Sequence, residues 1–233
     1  MRNAVSPLRA RLADPEVLAI PLVLVAVFAF QVWLGDGDEA FIDHWGASPI
    51  RLARALEALR RTGLSPAIAR ALAPLVTANF LHQNLRHLGS NLLFDWIFAT
   101  ALVTVSGRRL FLPIYLLSGV AAAAGYAFAE AGSRSVMLGA SGADAGLAGA
   151  YFMFALHGDP PDVHVWPLSG PVTSMQLAVA AALNFAFDSG ALLGGARDHI
   201  AYGAHVGGFC GGALLGLTIA TLRPRKPRAR NPI

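Results

Sequence analysis

Six stretches of this chain are long and apolar enough to cross a bilayer, and that restricts the fold more than any other feature. A helix crossing the hydrocarbon core needs about 20 mostly apolar residues. Inside lipid every backbone N–H and C=O must be satisfied within the protein, which leaves helices or closed barrels. The runs lie at about 17–34, 85–105, 110–129, 141–157, 172–187 and 201–222, the fourth and fifth being short and rich in small residues. The chain is 55% hydrophobic and only 14% charged, against about 25% charged in a soluble domain. The first run has no charge and no small-x-small cleavage site, so it reads as a retained anchor. The expectation is an all-α membrane protein: a membrane domain over 17–222, an N-terminal tail over 1–16 and a basic tail over 223–233.

An even number of spans puts both tails on one side. Arg2, Arg9 and Arg11, the turn with Arg108 and Arg109, and the tail with Arg223, Arg225, Lys226, Arg228 and Arg230 then share one face. Positive residues near span ends mark the cytoplasmic side. The exception is the first outer loop, 35–84, with Arg51, Arg54, Arg60, Arg61 and Arg70; long loops follow the rule poorly. Within that loop Leu52, Ala55, Leu56 and Leu59 share a helical face, and Gly63 and Pro66 interrupt the pattern. One or two helices lying at the interface are expected there. Six spans with short tails fit a bacterial inner-membrane protein with cytoplasmic ends.

The net charge of +4 comes from 17 Arg and the single Lys226. It sits in tails and loops, not on a soluble face, so nucleic acid is not an expected partner. A lone cysteine, Cys210, excludes an internal disulfide framework and a Cys-based zinc site. No H-E-x-x-H string is present, and no metal or cofactor is expected.

Polar groups within spans are costly and are functional candidates by default. Span two opens with His87 and Asn91, on one helical face. Span four opens with Gly139-Ala140-Ser141-Gly142, and span six with Ala204-His205, then Gly208 and Gly212. Spans two, four and six run the same way, so these groups share one depth below the outer surface. His205, Gly208, Gly212 and Gly216 form a stripe on span six, matched on span four by Ser141, Ala145 and Gly149. Small-xxx-small surfaces let helix backbones approach closely in lipid, which would bring Ser141 Oγ to His205. A serine hydroxyl attacks only when a base takes its proton, and a neutral imidazole does so near pH 7. The resulting oxyanion needs preplaced donors: His87, Asn91 and the Ser141 backbone N–H are candidates.

These residues resemble the rhomboid family of intramembrane serine proteases. Gly139-Ala140-Ser141-Gly142 is similar to its G-x-S-G, and Ala204-His205-Val206-Gly207-Gly208 with Gly212 to its A-H-x-x-G segment. His82, His87 and Asn91 resemble its H-x-x-x-x-H-x-x-x-N pattern. The resemblance implies a six-transmembrane-helix bundle with a long first outer loop and a Ser–His dyad without a third acid. It implies that Ser141 attacks, that His205 acts as base and then acid, that His87 and Asn91 stabilise the oxyanion, and that His82 is structural. The implied substrates are transmembrane segments of other proteins, entering near span five and cut near the outer surface; the oligomeric state stays open. Ala145 stands where the family often has an aromatic residue packed on the base. Ala73-Pro74 stands where a Trp-Arg pair is usual, and Asp144 where the residue is usually apolar. Asp144 is therefore a candidate modulator that orients His205, while Asp95 and Asp144 otherwise read as buried acids linking helices, and Asn184 as an interhelical hydrogen-bonding group.

Three rival readings fit the sequence less well. Gly35-Asp36-Gly37-Asp38 spells the G-x-G-D of aspartyl intramembrane proteases but sits in a loop mouth without a Tyr-Asp partner. A catalytically silent rhomboid-like scaffold or chaperone would usually lack the serine or the histidine. A small transporter using Asp95 and Asp144 leaves the Ser141–His205 alignment unexplained.

Overall fold

Helix is the dominant structure in the computed structural model, which describes residues 15–158, 160–163, 165, 171–196 and 200–222. The basic residues of both tails lie outside the described residues. The first apolar run forms α1 (Pro15–Leu34), which passes through one 3₁₀ turn into α2 (Asp38–Trp45). The outer loop holds α3 (Pro49–Thr62), α4 (Pro66–Leu72) and the one-turn α5 (Pro74–Thr77). The long helices follow: α6 (Leu85–Ser106), α7 (Phe111–Ala129), α8 (Ser141–His157), α9 (Ser174–Leu193) and α10 (Tyr202–Leu222).

Local sequence explains the boundaries. The break expected at Gly63 and Pro66 is real: Gly63 ends α3 at φ 76, and the Ser65 side chain caps Ile68 N–H with Pro66 in the first turn of α4. Asn84 caps α6 by accepting from the His87 N–H. A capping box between Thr173 and Gln176 starts α9. That helix runs on to Leu193, past the expected end near 187, because Asp188, Ser189 and Gly190 continue it.

Among the described residues, five segments have the length and apolarity to cross a membrane: Val17–Trp45, Leu85–Ser106, Arg108–Ala129, Ser174–Leu193 and Tyr202–Leu222. The chain is thus an integral multi-pass membrane protein built as an all-α bundle. Trp33, Leu93, Phe128, Leu183, Phe187 and Leu214 are exposed on these helices, a surface that suits lipid and would be a liability in water. α8 differs. Its 17 residues rise about 26 Å at 1.5 Å each, and Gly142 to Tyr151 are all buried. It packs against α6, α7, α9 and α10, so protein rather than lipid surrounds it.

Small residues set the α8–α10 contact, in a register one residue away from the expected stripe. A Cβ at Gly208 would overlap the Gly142 carbonyl, one at Gly212 the Gly146 carbonyl, and one at Gly216 would crowd Ala150. The contacting face of α8 is therefore Gly142, Gly146, Gly149 and Ala150; of the expected stripe Gly149 lies in it, against Phe209, while Ser141 and Ala145 do not carry it. The shift has a physical consequence: Ser141 sits at the rim of the contact, half-buried, instead of sealed within it.

The outer loop is tied down by backbone bonds. Ala47 and Met137 exchange N–H···O bonds of 3.0 and 2.9 Å, Ile50 N–H reaches Ser133 O at 3.2 Å, and Gly139 N–H reaches Ala78 O at 2.9 Å. Thr77 Oγ1 donates to Trp45 O at 2.7 Å, and Arg51 pairs with Asp43 at 3.1 Å. The segment leading into α8 is thus fixed by the loop that precedes α6.

Candidate active site

The N-terminal ends of α6, α8 and α10 and the C-terminal ends of α7 and α9 enclose a cavity of about 1260 Å³. Its walls include His87, Asn91, Ser141, Tyr202 and His205, and exposed Gln83, Asn84, Arg86 and Glu130 stand at its margin. A wet pocket bounded by membrane helices is where polar groups in spans can be tolerated.

Ser141 is the first residue of α8 and His205 the fourth of α10. Their side chains meet: His205 Nε2 lies 2.9 Å from Ser141 Oγ. The glycine contact described above produces this, since it brings the two helices together at the serine end. The first N–H groups of α8 have no partner within the helix, and the helix dipole puts partial positive charge there. An anion forming beside Ser141 would meet that end.

Gly139, two residues before the serine, has φ +116, a region open to glycine. A Cβ there would strike the His87 ring and crowd Asn91 Nδ2. The strand-like lead into α8 therefore runs directly over His87 and Asn91, which explains why glycine is needed at this point. Asn91 is buried and donates through Nδ2 to His82 Nε2 at 2.9 Å. A carboxamide nitrogen has two protons, so a second donor remains.

His82 is fully buried and precedes α6. Its backbone is clamped by Gln31 of α1: His82 N–H donates to Gln31 Oε1 and Gln31 Nε2 to His82 O, both at 3.0 Å. Because Nε2 accepts from Asn91, the ring is the neutral Nδ1–H form. Burial, then the neighbouring His87, push its pKa from 6.5 down to about 4, with the Phe80 carbonyl offsetting part of this. Unfolding releases a ring that binds a proton below pH 6.5, so the fold loses stability as pH falls from about 6.5 to 4. The loss expected from this group is on the order of 3 kcal/mol. Unfolding in detergent as a function of pH checks it: His82→Gln should be less stable at pH 7 but lose less on acidification. Equal acid sensitivity in both proteins would refute the assignment.

Asp144 does not reach His205. At about 100° per residue it lies some 200° around α8 from Gly142, on the side away from α10. It is fully buried, and its strongest electrostatic partner is Asp95 of α6; their oxygens have no partner at hydrogen-bond geometry. The pair belongs to the α6–α8 contact. The Tyr202 ring stands edge-on to His205 at 6.3 Å between centroids.

Two contacts escaped the sequence reading. One is the Gln31 clamp, whose only signal is an amide in an otherwise uncharged span. The other is on α9: Asp188 Oδ1 lies 3.2 Å from His205 Nδ1. Asp188 is buried, and it falls just beyond the expected end of span five.

The rhomboid-domain family model matches residues 69–222. Among curated proteins, the chain is similar to "Rhomboid protein 1, mitochondrial" of Saccharomyces cerevisiae, 31% identical over 150 residues, covering 63% of this chain and 41% of that protein. It is also similar to "Presenilin-associated rhomboid-like protein A, mitochondrial" of Danio rerio, 30% identical over 157 residues, covering 66% of this chain and 38% of that protein. The matched stretch thus spans about two fifths of these relatives' length.

Proposed function

The chain belongs to the rhomboid family, and from that premise we propose that it is an intramembrane serine endopeptidase cutting peptide bonds in or near transmembrane segments of other proteins. The observation that carries this reading is the 2.9 Å approach of Ser141 Oγ to His205 Nε2 at the wall of a cavity that also holds His87 and Asn91.

In this reading Ser141 Oγ attacks the scissile carbonyl carbon as its proton passes to His205 Nε2. The carbonyl oxygen becomes an oxyanion facing the free N–H groups at the start of α8, the spare Asn91 proton and His87. Collapse breaks the C–N bond, and His205 returns the proton to the leaving amine. Water, deprotonated by His205, then hydrolyses the acyl-serine and regenerates the enzyme. No metal or cofactor enters the scheme.

We count α8 as the sixth span. With that count α6, α8 and α10 run in parallel, their starts meet at one cavity, and Arg108 and Arg109 fall on the opposite, cytoplasmic face with both chain ends. α9 packs mainly on α8 and α10, and its Met175, Val179, Leu183 and Phe187 are exposed at four-residue spacing. An apolar substrate helix finds its lateral approach there.

The test is reconstitution in lipid with a panel of transmembrane substrates, together with labelling by a fluorophosphonate. Cleavage and labelling that both vanish in Ser141→Ala support the reading; either one persisting in that variant overturns it. The oxyanion assignment predicts a further outcome. Asn91→Ala should lower kcat by about 10²-fold or more with KM nearly unchanged, as measured by initial cleavage rates in proteoliposomes. A change confined to KM would refute it.

A further inference from the structure

We infer that Asp188 is a positioning residue for His205, so that the group around the ring draws one side chain from each of three helices; this rests on the proposed serine chemistry. The observation is geometric. His205 presents Nε2 to Ser141 Oγ at 2.9 Å and Nδ1 to Asp188 Oδ1 at 3.2 Å. The two ring nitrogens thus engage opposite partners from α8 and α9.

A neutral imidazole carries one proton, and the hydrogen bond at one nitrogen decides where it sits. A carboxylate can only accept, so in this inference the ring proton sits on Nδ1, the nitrogen that faces Asp188. Nε2 is then left with a lone pair directed at the serine hydroxyl, the arrangement a general base needs. When Nε2 takes the serine proton, the ring becomes a cation with Asp188 3.2 Å away and Tyr202 edge-on. The carboxylate stabilises that cation without taking its proton. The side chain of Asp188 is 6% exposed and that of His205 18%, so water screens the contact little.

The same geometry gives α9 a second task. Asp188 occupies the fifteenth position of a helix that packs mainly on α8 and α10. Displacing that end of α9 would separate Asp188 from His205 and release the ring.

The experiment uses the full chain in lipid nanodiscs, native and as Asp188→Asn, Asp188→Ala, Asp188→Glu and Ser141→Ala. The kinetic probe is a fluorophosphonate, for which the maximal inactivation rate and the half-saturating concentration are measured separately. Asp188→Asn should lower the maximal rate on the order of 10²–10⁴-fold, because an amide can donate to Nδ1 and leave the proton on Nε2. The half-saturating concentration should stay near native, Asp188→Ala should also be slow, and Asp188→Glu should recover part of the rate.

A spectroscopic readout separates positioning from mere packing. With ¹³C-labelled histidine, and His205 assigned by comparison with His205→Ala, the ring carbon shifts at pH 8 should report the Nδ1–H tautomer in the native protein and the Nε2–H tautomer in Asp188→Asn. An Nε2–H tautomer in the native protein, or Asp188 variants with native rate and unaltered tautomer, overturns the inference while leaving Ser141 labelling intact. Labelling that survives Ser141→Ala, or no labelling of the native protein, refutes the serine reading instead; the tautomer shifts still decide whether Asp188 sets the ring.

Discussion

Ser141→Ala, His205→Ala and the double variant are expected to fall to one common residual rate, on the order of 10⁴–10⁶-fold below native. On the proposed reading the two groups perform a single act. Ser141 Oγ without a base 2.9 Å away holds its proton, and His205 without the hydroxyl has nothing to deprotonate at that position. The double loss should therefore equal either single loss, not their product. Initial rates of cleavage of a transmembrane substrate in proteoliposomes check this. A double variant slower than both singles by a further large factor would mean the residues act independently. Ser141 is half-buried at the start of its helix, so Ser141→Ala should leave the unfolding midpoint in detergent nearly unchanged, which separates chemistry from collapse of the fold.

The second large effect is structural and reaches the same Ser141–His205 pair from a distance. Gly212→Val places a branched side chain where even a Cβ would overlap the backbone carbonyl of Gly146. The obstacle is main chain in a helix, so no rotamer change relieves it; α8 and α10 must separate. Overpacking of a core costs about 1–3 kcal/mol and occasionally more, and a backbone clash belongs at or above the upper end. Cleavage should be lost as well, because the interface that gives way is the one that brings His205 to Ser141. Gly89→Ala is the control: it lies in α6, nothing stands within 4 Å of an added Cβ, and helix propensity favours alanine by up to about 1 kcal/mol. Unfolding midpoints and cleavage rates for the two variants should move in opposite directions or, for Gly89→Ala, not fall at all. Equal tolerance at Gly212 would mean that the helices are held by something other than this contact.

The membrane helices were legible because hydropathy is a local property, and α8 begins and ends where the sequence suggests, at Ser141 and His157. The partnership of Ser141 with His205 was legible because each heads a run of small residues. The register of that run was not. On α8 two stripes one residue apart are both small, and only the position of α10 selects between them. The selection matters, since a serine in the middle of the contact would have no access to the cavity. Asp188 was missed because its meaning lies in a contact between α9 and α10, and because Asp-Ser-Gly resembles a helix end while α9 continues through it. Asp144 misled for a related reason: three residues from Ser141 in sequence, it points toward α6. Docking of the outer loop was beyond reach because backbone groups carry most of it, as in the Ala47–Met137 and Gly139–Ala78 bonds, and these leave little trace in side-chain identity.

The Gln31 amide carries a practical implication for anyone trimming or grafting this protein. The rhomboid-domain match begins at residue 69, yet the residue that grips His82 by both N–H and C=O sits 51 positions upstream of that histidine. A fragment cut at the similarity boundary would retain the serine and the histidine while discarding the clasp under the ring that orients Asn91. Exchanging α1 for an unrelated greasy anchor would do the same unless an amide were kept at that depth. The smallest transplantable unit thus starts no later than Gln31, inside the first helix.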